Sequence, residues 1–491
     1  MQKHQLIEPL ESRIAPATVL NPTTVVYSDV DGDDVTIHIS KPLFTAENLD
    51  QVLLFSNSAA RFDGSIPQAL SSFLVTNFGD AASGLDISIT AKRNPILGGN
   101  GVVDVGGIDA FNQGGADNVD LGKVRVQGDL KFIDAGDADF TTPALKSLNV
   151  LSIGEAISDV KSEINGSIGT WKVRGNMFGQ LVQTGSKDLV HVGKIFIGGS
   201  LGRSDSDVQG GGALFLAGST GSITIVHDLI GGSAVETGFI NIAGSLGTLT
   251  IGGSVRAGES PFTGLINVQG DAGSIRIGGD LAGGPSQVSG ILALSGAGTT
   301  VGSIQIGGSI IGGNAPHSGA ISAGHARSIT VGHDLIGQTD DASGIIFGDI
   351  IDKVRIGGSM IGADTTAIPD QTFGTGSGSI FVASSIGSVS VGGDVIRANI
   401  VAGISSGQDF EFGPGSETAD SDLNPQIVSR IAQITIKGSV NTGASGHYGI
   451  EANSIGNVRI GGVTYLHSDP SINFAQGFTV DAAERFTIRE L

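Results

Sequence analysis

The sequence contains no cysteine, one tryptophan and three tyrosines, and only 15% of its residues are charged. The lack of cysteine excludes a disulfide framework and thiol chemistry. The small number of tryptophan and tyrosine side chains leaves few platforms on which sugar rings could stack. Acids outnumber bases by 48 to 27, giving a net charge of −21. A field of that sign repels phosphates, so we expect no nucleic-acid partner.

Few segments have the hydrophobic period of a helix, and glycine is abundant. The chain has 79 glycines among 491 residues, a level that occurs in disordered chains. However, 39% of the residues are hydrophobic, and they occur in blocks that alternate with polar residues. A period of two places apolar side chains on one face of a strand. The composition therefore indicates a packed all-β fold.

One unit, AGSIRIGGDL at residues 272–281, recurs along most of the chain. Ile275 and Ile277 alternate with Ser274 and Arg276, which predicts a strand with an apolar face and a polar face. A Gly-Gly corner follows, then a second short extended piece from Leu281, and residues 290–296 supply a third. Each unit thus predicts three short strands, with Ile275, Ile277 and Leu281 pointing inward.

Copies of this unit start at residues 121, 145, 168, 192, 220, 246, 272, 301, 326, 351, 386, 431 and 455. Most spacings are 23 to 29 residues, a period typical of solenoids whose units bury their apolar faces against one another. Crossover connections between parallel strands are right-handed. We therefore predict a right-handed parallel β-helix of about 13 coils.

The repeat divides the chain into four parts. Residues 1–20 form an N-terminal sorting-like or disordered segment, without an apolar run long enough for a signal-peptide core or a membrane span. Residues 21–115 form a β-rich cap, in which 48–55 and 67–78 have the composition of short helices. Residues 116–464 form the β-helix, with inserts at 363–377 and 405–430. Residues 465–491 form a C-terminal cap.

Four acids in the cap, Asp29, Asp31, Asp33 and Asp34, are candidate Ca²⁺ ligands because they supply several carboxylate oxygens over a few residues. The pattern departs from an EF-hand loop, since Ser40 stands where the bidentate Glu belongs. Asp31-Gly32 between two apolar runs is also a hairpin signal. A hairpin turn with solvated acids is the simpler interpretation, and the metal site is its alternative.

The second insert is the candidate binding loop, because insertions in repeat proteins form loops on one face. It combines acidic residues with two phenylalanines. The candidate residues are Asp409, Phe410, Glu411, Phe412, Glu417, Asp420 and Asp422. A mobile acidic loop without a ligand is the alternative.

Signals of catalysis are weak. Residues 198–202 match G-x-S-x-G, but Ser200 occupies the same corner as Ser254 and Ser309, whereas a nucleophile elbow requires a strand-to-helix turn. The outward column of the first strand, from Arg125 to Arg459, contains no carboxylate. Trp171 lies at a strand position and is expected to pack in the interior. We therefore assign no catalytic residue and no cofactor other than the candidate Ca²⁺.

Two corner positions give further expectations. His227 and His333 replace the second corner glycine, and histidine tolerates positive φ, so we expect both to be left-handed. The next residue alternates strictly between serine and aspartate over nine repeats: Ser200, Asp228, Ser254, Asp280, Ser309, Asp334, Ser359, Asp394 and Ser439. Stacking separates the acids by two repeats, and shared backbone N–H groups or Ser–Asp contacts would satisfy the column. Interchangeable turn residues, or descent from a two-repeat unit, are the alternative.

Residues 8–17, EPLESRIAPA, resemble the LEPLESR-type N-terminal segment of large predicted surface or secreted proteins of planctomycetes and verrucomicrobia. Residues 29–37, 103–110 and 121–130 are similar to that group as well. The resemblance implies an exported bacterial protein at the cell surface or outside the cell, and it supplies no catalytic residues. The function expected is a non-enzymatic structural or adhesion protein that contacts cell-surface components or polysaccharide. An extracellular polysaccharide lyase or hydrolase is the alternative.

Overall fold

The computed structural model describes residues 17–57, 68–112, 118–154, 160–205, 207, 209, 211–338, 342–363, 376–405, 418–419, 428–443, 447–466, 469, 472–480 and 485–491. Within these ranges the chain is nearly all β, and most strand pairs are parallel. No helix in the described ranges has the length and apolar character needed to cross a membrane. The prediction of an all-β protein is confirmed.

The first ladder is a series of parallel strands that contains the repeated alternating segment. Every start assigned to the repeat from the sequence, from Leu121 to Ile455, pairs with the start of the next copy. The strands are Leu85–Lys92, Leu121–Val126, Leu145–Val150, Ile168–Val173, His191–Ile197, Ser219–Ile225, Leu246–Ile251, Ala272–Ile277, Thr300–Ile306, Ile329–Val331, the second halves of Ile346–Ile356 and Ile380–Val391, Arg430–Ile436 and Ser454–Ile460.

The second ladder follows the glycine corner. Its first part is a five-stranded sheet, in order Ser152–Ile153, Asp129–Asp134, Val105–Asp109, Gln68–Leu74 and Leu53–Asn57, of which the last pair is antiparallel. Single bridges through Met177 and Leu201 connect it to eight two-residue strands. These are Leu229–Ile230, Val255–Arg256, Leu281–Ala282, Ile310–Ile311, Leu335–Ile336, Met360–Ile361, Val395–Ile396 and Val440–Asn441.

The third ladder completes each repeat, as expected from residues 290–296. Its parallel strands are Lys161–Asn165, Gln180–Thr184, Ala213–Leu216, Phe239–Ile242, Leu265–Val268, Ile291–Leu294, Ala320–Ala326, the first halves of Ile346–Ile356 and Ile380–Val391, Ile400–Ala402, Tyr448–Ala452 and Phe486–Glu490. From Ala213 to Asn441 each repeat therefore contributes one strand to each ladder, and the sequence period equals one step along all three.

Aliphatic columns fill the space between the ladders. Ile275, Ile277 and Leu281 are at most 1% exposed, whereas Arg276 is exposed, as predicted. Trp171 is fully buried and packs in the same core. Glycine permits the strands to approach at the corners: a Cβ on Gly278 would lie 2.1 Å from the carbonyl oxygen of Gly252.

Antiparallel strands lie at both ends of the ladders. At the N-terminal end, Thr18–Asn21, Thr24–Ser28 and Asp34–Ile39 pair successively and join Leu85–Lys92. At the C-terminal end, Val463–Tyr465 and Phe478–Thr479 pair antiparallel with the last strands, beside a 3-10 turn at Phe474–Gln476. Ile404–Ser405 and Thr418–Ala419 form a further short antiparallel pair.

The expectation of short helices at 48–55 and 67–78 is largely wrong. Helical turns are confined to Leu49–Val52 and to the 3-10 segment Val75–Ala82, while Leu53–Asn57 and Gln68–Leu74 are strands. The two strands pair with each other and extend the second ladder. Tertiary pairing therefore overrides the mixed local pattern.

The expectation of left-handed corner histidines is also wrong. His227 and His333 both have negative φ, and their side chains are exposed. The corner glycines are needed for space instead, because a Cβ on Gly358 would lie 2.0 Å from Asp334 Oδ1. Among non-glycine residues, positive φ occurs mainly just before the third-ladder strands, at Glu236, Phe262, Val288, His317 and Ala342.

Candidate functional site

The turn after the second N-terminal strand brings three of the four candidate acids together. We call Asp29, Asp31 and Asp33 the aspartate turn. One carboxylate oxygen from each lies within 4.8 Å of the others. Asp29 Oδ1 accepts hydrogen bonds from the backbone N–H groups of Gly32 at 3.0 Å and Asp33 at 2.8 Å. The predicted hairpin is confirmed, since Thr24–Ser28 pairs with Asp34–Ile39, but its acids are not all solvated, because Asp29 and Asp33 are buried.

The fourth acid, Asp34, does not join this group. Its Oδ1 accepts a hydrogen bond from Asn94 Nδ2 at 3.0 Å. The loop that follows Asn94 returns to the aspartate turn instead. The N–H of Gly101 donates to Asp33 Oδ2 at 2.6 Å, and the N–H of Asn100 donates to Asp31 Oδ2 at 3.1 Å.

Burial makes the aspartate turn electrostatically unusual. Asp29 is 5% exposed and Asp33 is fully buried. Burial, followed by the adjacent Asp31 carboxyl, raises the pKa of Asp29 to about 7. No lysine or arginine in the described ranges forms an ion pair with these acids. Such a group of acids is costly to ionise without a cation.

The candidate binding residues of the second insert lie outside the described residues. This applies to Asp409, Phe410, Glu411, Phe412, Glu417, Asp420 and Asp422. The expectation that they bind a ligand stays a prediction.

The serine and aspartate residues after the corner form a continuous hydrogen-bonded column, which we call the Ser/Asp column. From Ser200 to Asp394, each side chain accepts through one oxygen the backbone N–H of the column residue one repeat later. Ser309 N donates to Asp280 Oδ1 at 2.7 Å, and Asp334 N donates to Ser309 Oγ at 3.2 Å. The same bond recurs along the column from Ser200 to Ser439. Of the two contacts expected from the sequence, the shared backbone N–H is confirmed along the whole column.

A groove that was not predicted from the sequence lies on the outer side of the third ladder. A row of rings runs along it: His317 and Phe347 lie 6.0 Å apart between ring centres, and Phe347 and Phe381 also lie 6.0 Å apart. Two adjoining cavities of about 410 and 310 Å³ share Ser322 and Phe347 in their walls. Their other lining residues are mainly apolar: Leu265, Asn267, Val288, Ile291, Ala293, Ala320, Ala323, Gly348, Asp349, Val382, Ala383, Val401 and Ile404.

A row of carboxylates was missed as well. Asp109 and Asp134 are paired on neighbouring strands, and Asp134 Oδ1 accepts the N–H of Glu163 at 2.6 Å. Burial is the largest cause that raises the pKa of Asp134 to about 7. The hydrogen bond from the Glu163 N–H lowers the pKa, and the neighbouring carboxylate of Asp109 raises it. Lys161 forms an ion pair with Glu163. The acids come from three repeats, so only the pairing register could have revealed the row.

The G-x-S-x-G serine has a structural role. Ser200 N donates to Asn176 Oδ1 at 2.9 Å, and Ser200 Oγ accepts the N–H of Asp228 at 3.3 Å. It is therefore a member of the Ser/Asp column at a strand corner, without the helix that a nucleophile elbow requires.

Comparison with known proteins gives no relative from which a role could be transferred. No family model, curated protein or solved structure matches the chain.

Proposed function

We propose that the chain forms a right-handed parallel β-helix and serves as a non-enzymatic, exported surface protein of a bacterium, with adhesion to polysaccharide or other cell-surface components as its role. Three parallel ladders that advance by one repeat per step support this architecture. Such a rod is rigid because every step is tied to the next by backbone hydrogen bonds. It can therefore present side chains at fixed spacings.

The uninterrupted Ser/Asp column is the observation that carries the proposal. At the same corner of nine repeats, the backbone N–H of one column residue is bonded to the side chain of the column residue one repeat earlier. Asp280 and Ser309 are typical members. A repeated structural contact of this kind maintains a long, regular rod. Polysaccharide-cleaving sites instead require a local arrangement of acids facing a groove.

The groove that contains the rings of His317, Phe347 and Phe381, which we call the aromatic groove, is the surface best suited to bind a carbohydrate. Phe347 and Phe381 present rings one repeat apart, beside Ser322, which has a hydroxyl that can hydrogen-bond. Aromatic faces stack on sugar rings, and nearby polar groups fix their orientation. The groove therefore suits an extended carbohydrate chain.

Surface exposure tests the proposed location. Intact cells of the source organism are treated with a protease that cannot enter them, and the chain is then followed by immunoblotting. We expect its digestion while a cytoplasmic marker stays intact. Full protection on intact cells, with digestion after lysis, would contradict the proposal.

Binding tests the proposed role. A polysaccharide array is probed with the full chain and with Phe347→Ala and Phe381→Ala. Phe196→Ala is the matched control, because Phe196 faces outward on the first ladder beside Lys172. We expect carbohydrate binding that both groove variants weaken and the control retains. Equal binding by the wild type and the three variants would exclude the groove as the carbohydrate-binding site.

A polysaccharide-active enzyme is the second candidate, and the Asp109–Asp134–Glu163 row is the observation in its favour. A carboxyl group with a pKa of about 7 could act as a general acid at neutral pH. Its test is the release of reducing or unsaturated ends from the polysaccharides that bind. Cleavage by the wild-type chain, lost in Asp134→Asn, would establish the enzyme and refute the non-enzymatic proposal.

A further inference from the structure

The aspartate turn contains carboxylate oxygens whose bonding is incomplete. Asp33 is fully buried, yet within the described part of the chain its Oδ1 has no hydrogen-bond partner. Asp31 Oδ1 is likewise a buried atom to which no described residue donates a hydrogen bond. Buried polar atoms are normally paired, so such atoms require an explanation.

A third unpartnered oxygen lies beside the same turn. The hydroxyl of Tyr27 is buried and has no hydrogen-bond partner among the described residues. Burial, followed by the carboxylates of Asp29 and Asp104, raises the pKa of Tyr27 above its usual range. Tyr27 and Asp29 are two residues apart at a strand end, so their side chains lie on the same face. The hydroxyl is an observation independent of the three acids.

The remaining bonds hold these acids in place without neutralising them. Asp29 Oδ1 and the Oδ2 atoms of Asp31 and Asp33 accept backbone N–H groups. The loop approaches so closely that a Cβ on Gly99 would lie 1.9 Å from Asp33 Oδ1. Backbone N–H groups are partial charges, whereas three carboxylates carry up to three full charges. Ionised carboxylates this close together and this deeply buried are stabilised by a bound cation.

We propose that the aspartate turn binds one Ca²⁺ ion, with Asp29, Asp31 and Asp33 as its carboxylate ligands. All candidate ligands are oxygens, the atoms that Ca²⁺ prefers. Ca²⁺ accepts irregular geometry and six to eight ligands, whereas Mg²⁺ demands a near-ideal octahedron. The ion joins the N-terminal hairpin to the 98–101 loop, because the carboxylates of Asp31 and Asp33 contact both. It therefore stabilises the N-terminal end of the ladders.

Calorimetric titration of the full chain with CaCl₂, after removal of metal by a chelator, tests the site. We expect saturable binding at one equivalent and a higher unfolding temperature in Ca²⁺ than in the chelator. Asp31→Asn and Asp33→Asn should each weaken binding about tenfold or more. Asp34→Asn is the matched control, since Asp34 lies in the same segment but bonds to Asn94, and it should bind as the wild type does.

Terbium luminescence tests the location without relying on variants that fail to fold. Tyr27 should sensitise Tb³⁺ bound at the turn, and excess Ca²⁺ should quench the emission by competition, while equal Mg²⁺ should quench it less. Tyr27→Phe should remove the emission and should weaken the calorimetric binding of Ca²⁺ less than Asp31→Asn or Asp33→Asn does. Absence of both Ca²⁺ binding and Tb³⁺ emission in the folded wild type would overturn the proposal. Unchanged binding in Asp31→Asn and Asp33→Asn would overturn it too.

Discussion

Asp280 accepts the backbone N–H of Ser309 through its Oδ1 at 2.7 Å, although the two residues are 29 positions apart in the chain. The carboxylate thereby accepts a backbone N–H at the corner between the first-ladder and second-ladder strands. Ser254 and Ser309 do the same with a hydroxyl oxygen. Serine and aspartate are therefore interchangeable as acceptors, so the acceptor role alone does not explain why they alternate.

The acceptor role predicts the effect of removing the oxygen. Asp280→Ala leaves the N–H of Ser309 without its partner, and we expect a loss of about 1–3 kcal/mol in the free energy of unfolding. Asp280→Ser is the matched control and should cost less, because a hydroxyl can accept the same bond. Chemical denaturation of the three proteins measures the difference. An alanine variant as stable as the serine variant would exclude this role.

The alternation predicts a charge effect. Ser309→Asp places a third acid between Asp280 and Asp334, which are otherwise two repeats or about 9.6 Å apart. Adjacent carboxylates repel, so the variant should be less stable than wild type at neutral pH and should recover in high salt. Denaturation at low and high salt tests this. A loss that does not depend on salt would favour descent from a two-repeat unit as the cause of the alternation.

Gly358 and His333 occupy the second corner position of neighbouring repeats, and we expect substitutions at these two positions to differ in their effect on stability. Gly358→Ala places a Cβ 2.0 Å from Asp334 Oδ1, so it should displace the carboxylate and cost about 1–3 kcal/mol. His333→Val should be close to neutral, because His333 has negative φ and an exposed side chain. Thermal unfolding of both variants measures the contrast. A strongly destabilised His333→Val would restore the left-handed interpretation.

Asp134 predicts a dependence of stability on pH. Burial, the main cause, raises the pKa of Asp134 from 3.8 to about 7, so the folded state holds the proton more tightly than the unfolded state. The stabilisation is complete below the unfolded pKa and is lost as pH rises through about 7. The unfolding temperature should therefore rise from pH 8 to pH 5, and less so in Asp134→Asn. An equal rise in both proteins would rule out Asp134 as the source.

Much of the fold could be predicted from the sequence, because one step of the repeat equals one step of each ladder. The aliphatic columns around Ile275 and Ile277 fixed the register of the first ladder over thirteen copies. The reason why glycine occupies the corners could not be predicted from the sequence. Both a positive φ and a lack of space favour glycine. The two causes can be distinguished only when the atoms of the neighbouring repeat are known.

The candidate sites were harder to predict because their parts are distant in sequence. Asp31 and Asn100 are 69 residues apart, so the closure of the loop over the aspartate turn has no local signal. The groove around Phe347 depends on outward residues that do not repeat, since Ser322 and Phe381 occupy the equivalent positions on either side. Stacking, rather than any motif, brings these residues together.

Stacking of one repeat directly on the next is the central claim, and cysteine pairs test it most directly because the chain has no cysteine of its own. Thr250 pairs with Arg276 on the neighbouring strand, and Arg276 pairs with Gln305. Adjacent strands are about 4.8 Å apart, within the Cα separation that a disulfide spans, whereas two steps are about 9.6 Å. Under mild oxidation, Thr250→Cys combined with Arg276→Cys should form an intramolecular disulfide, detected by mass spectrometry of the digested protein. Thr250→Cys combined with Gln305→Cys should not. Equal or reversed cross-linking of the two pairs would contradict the account.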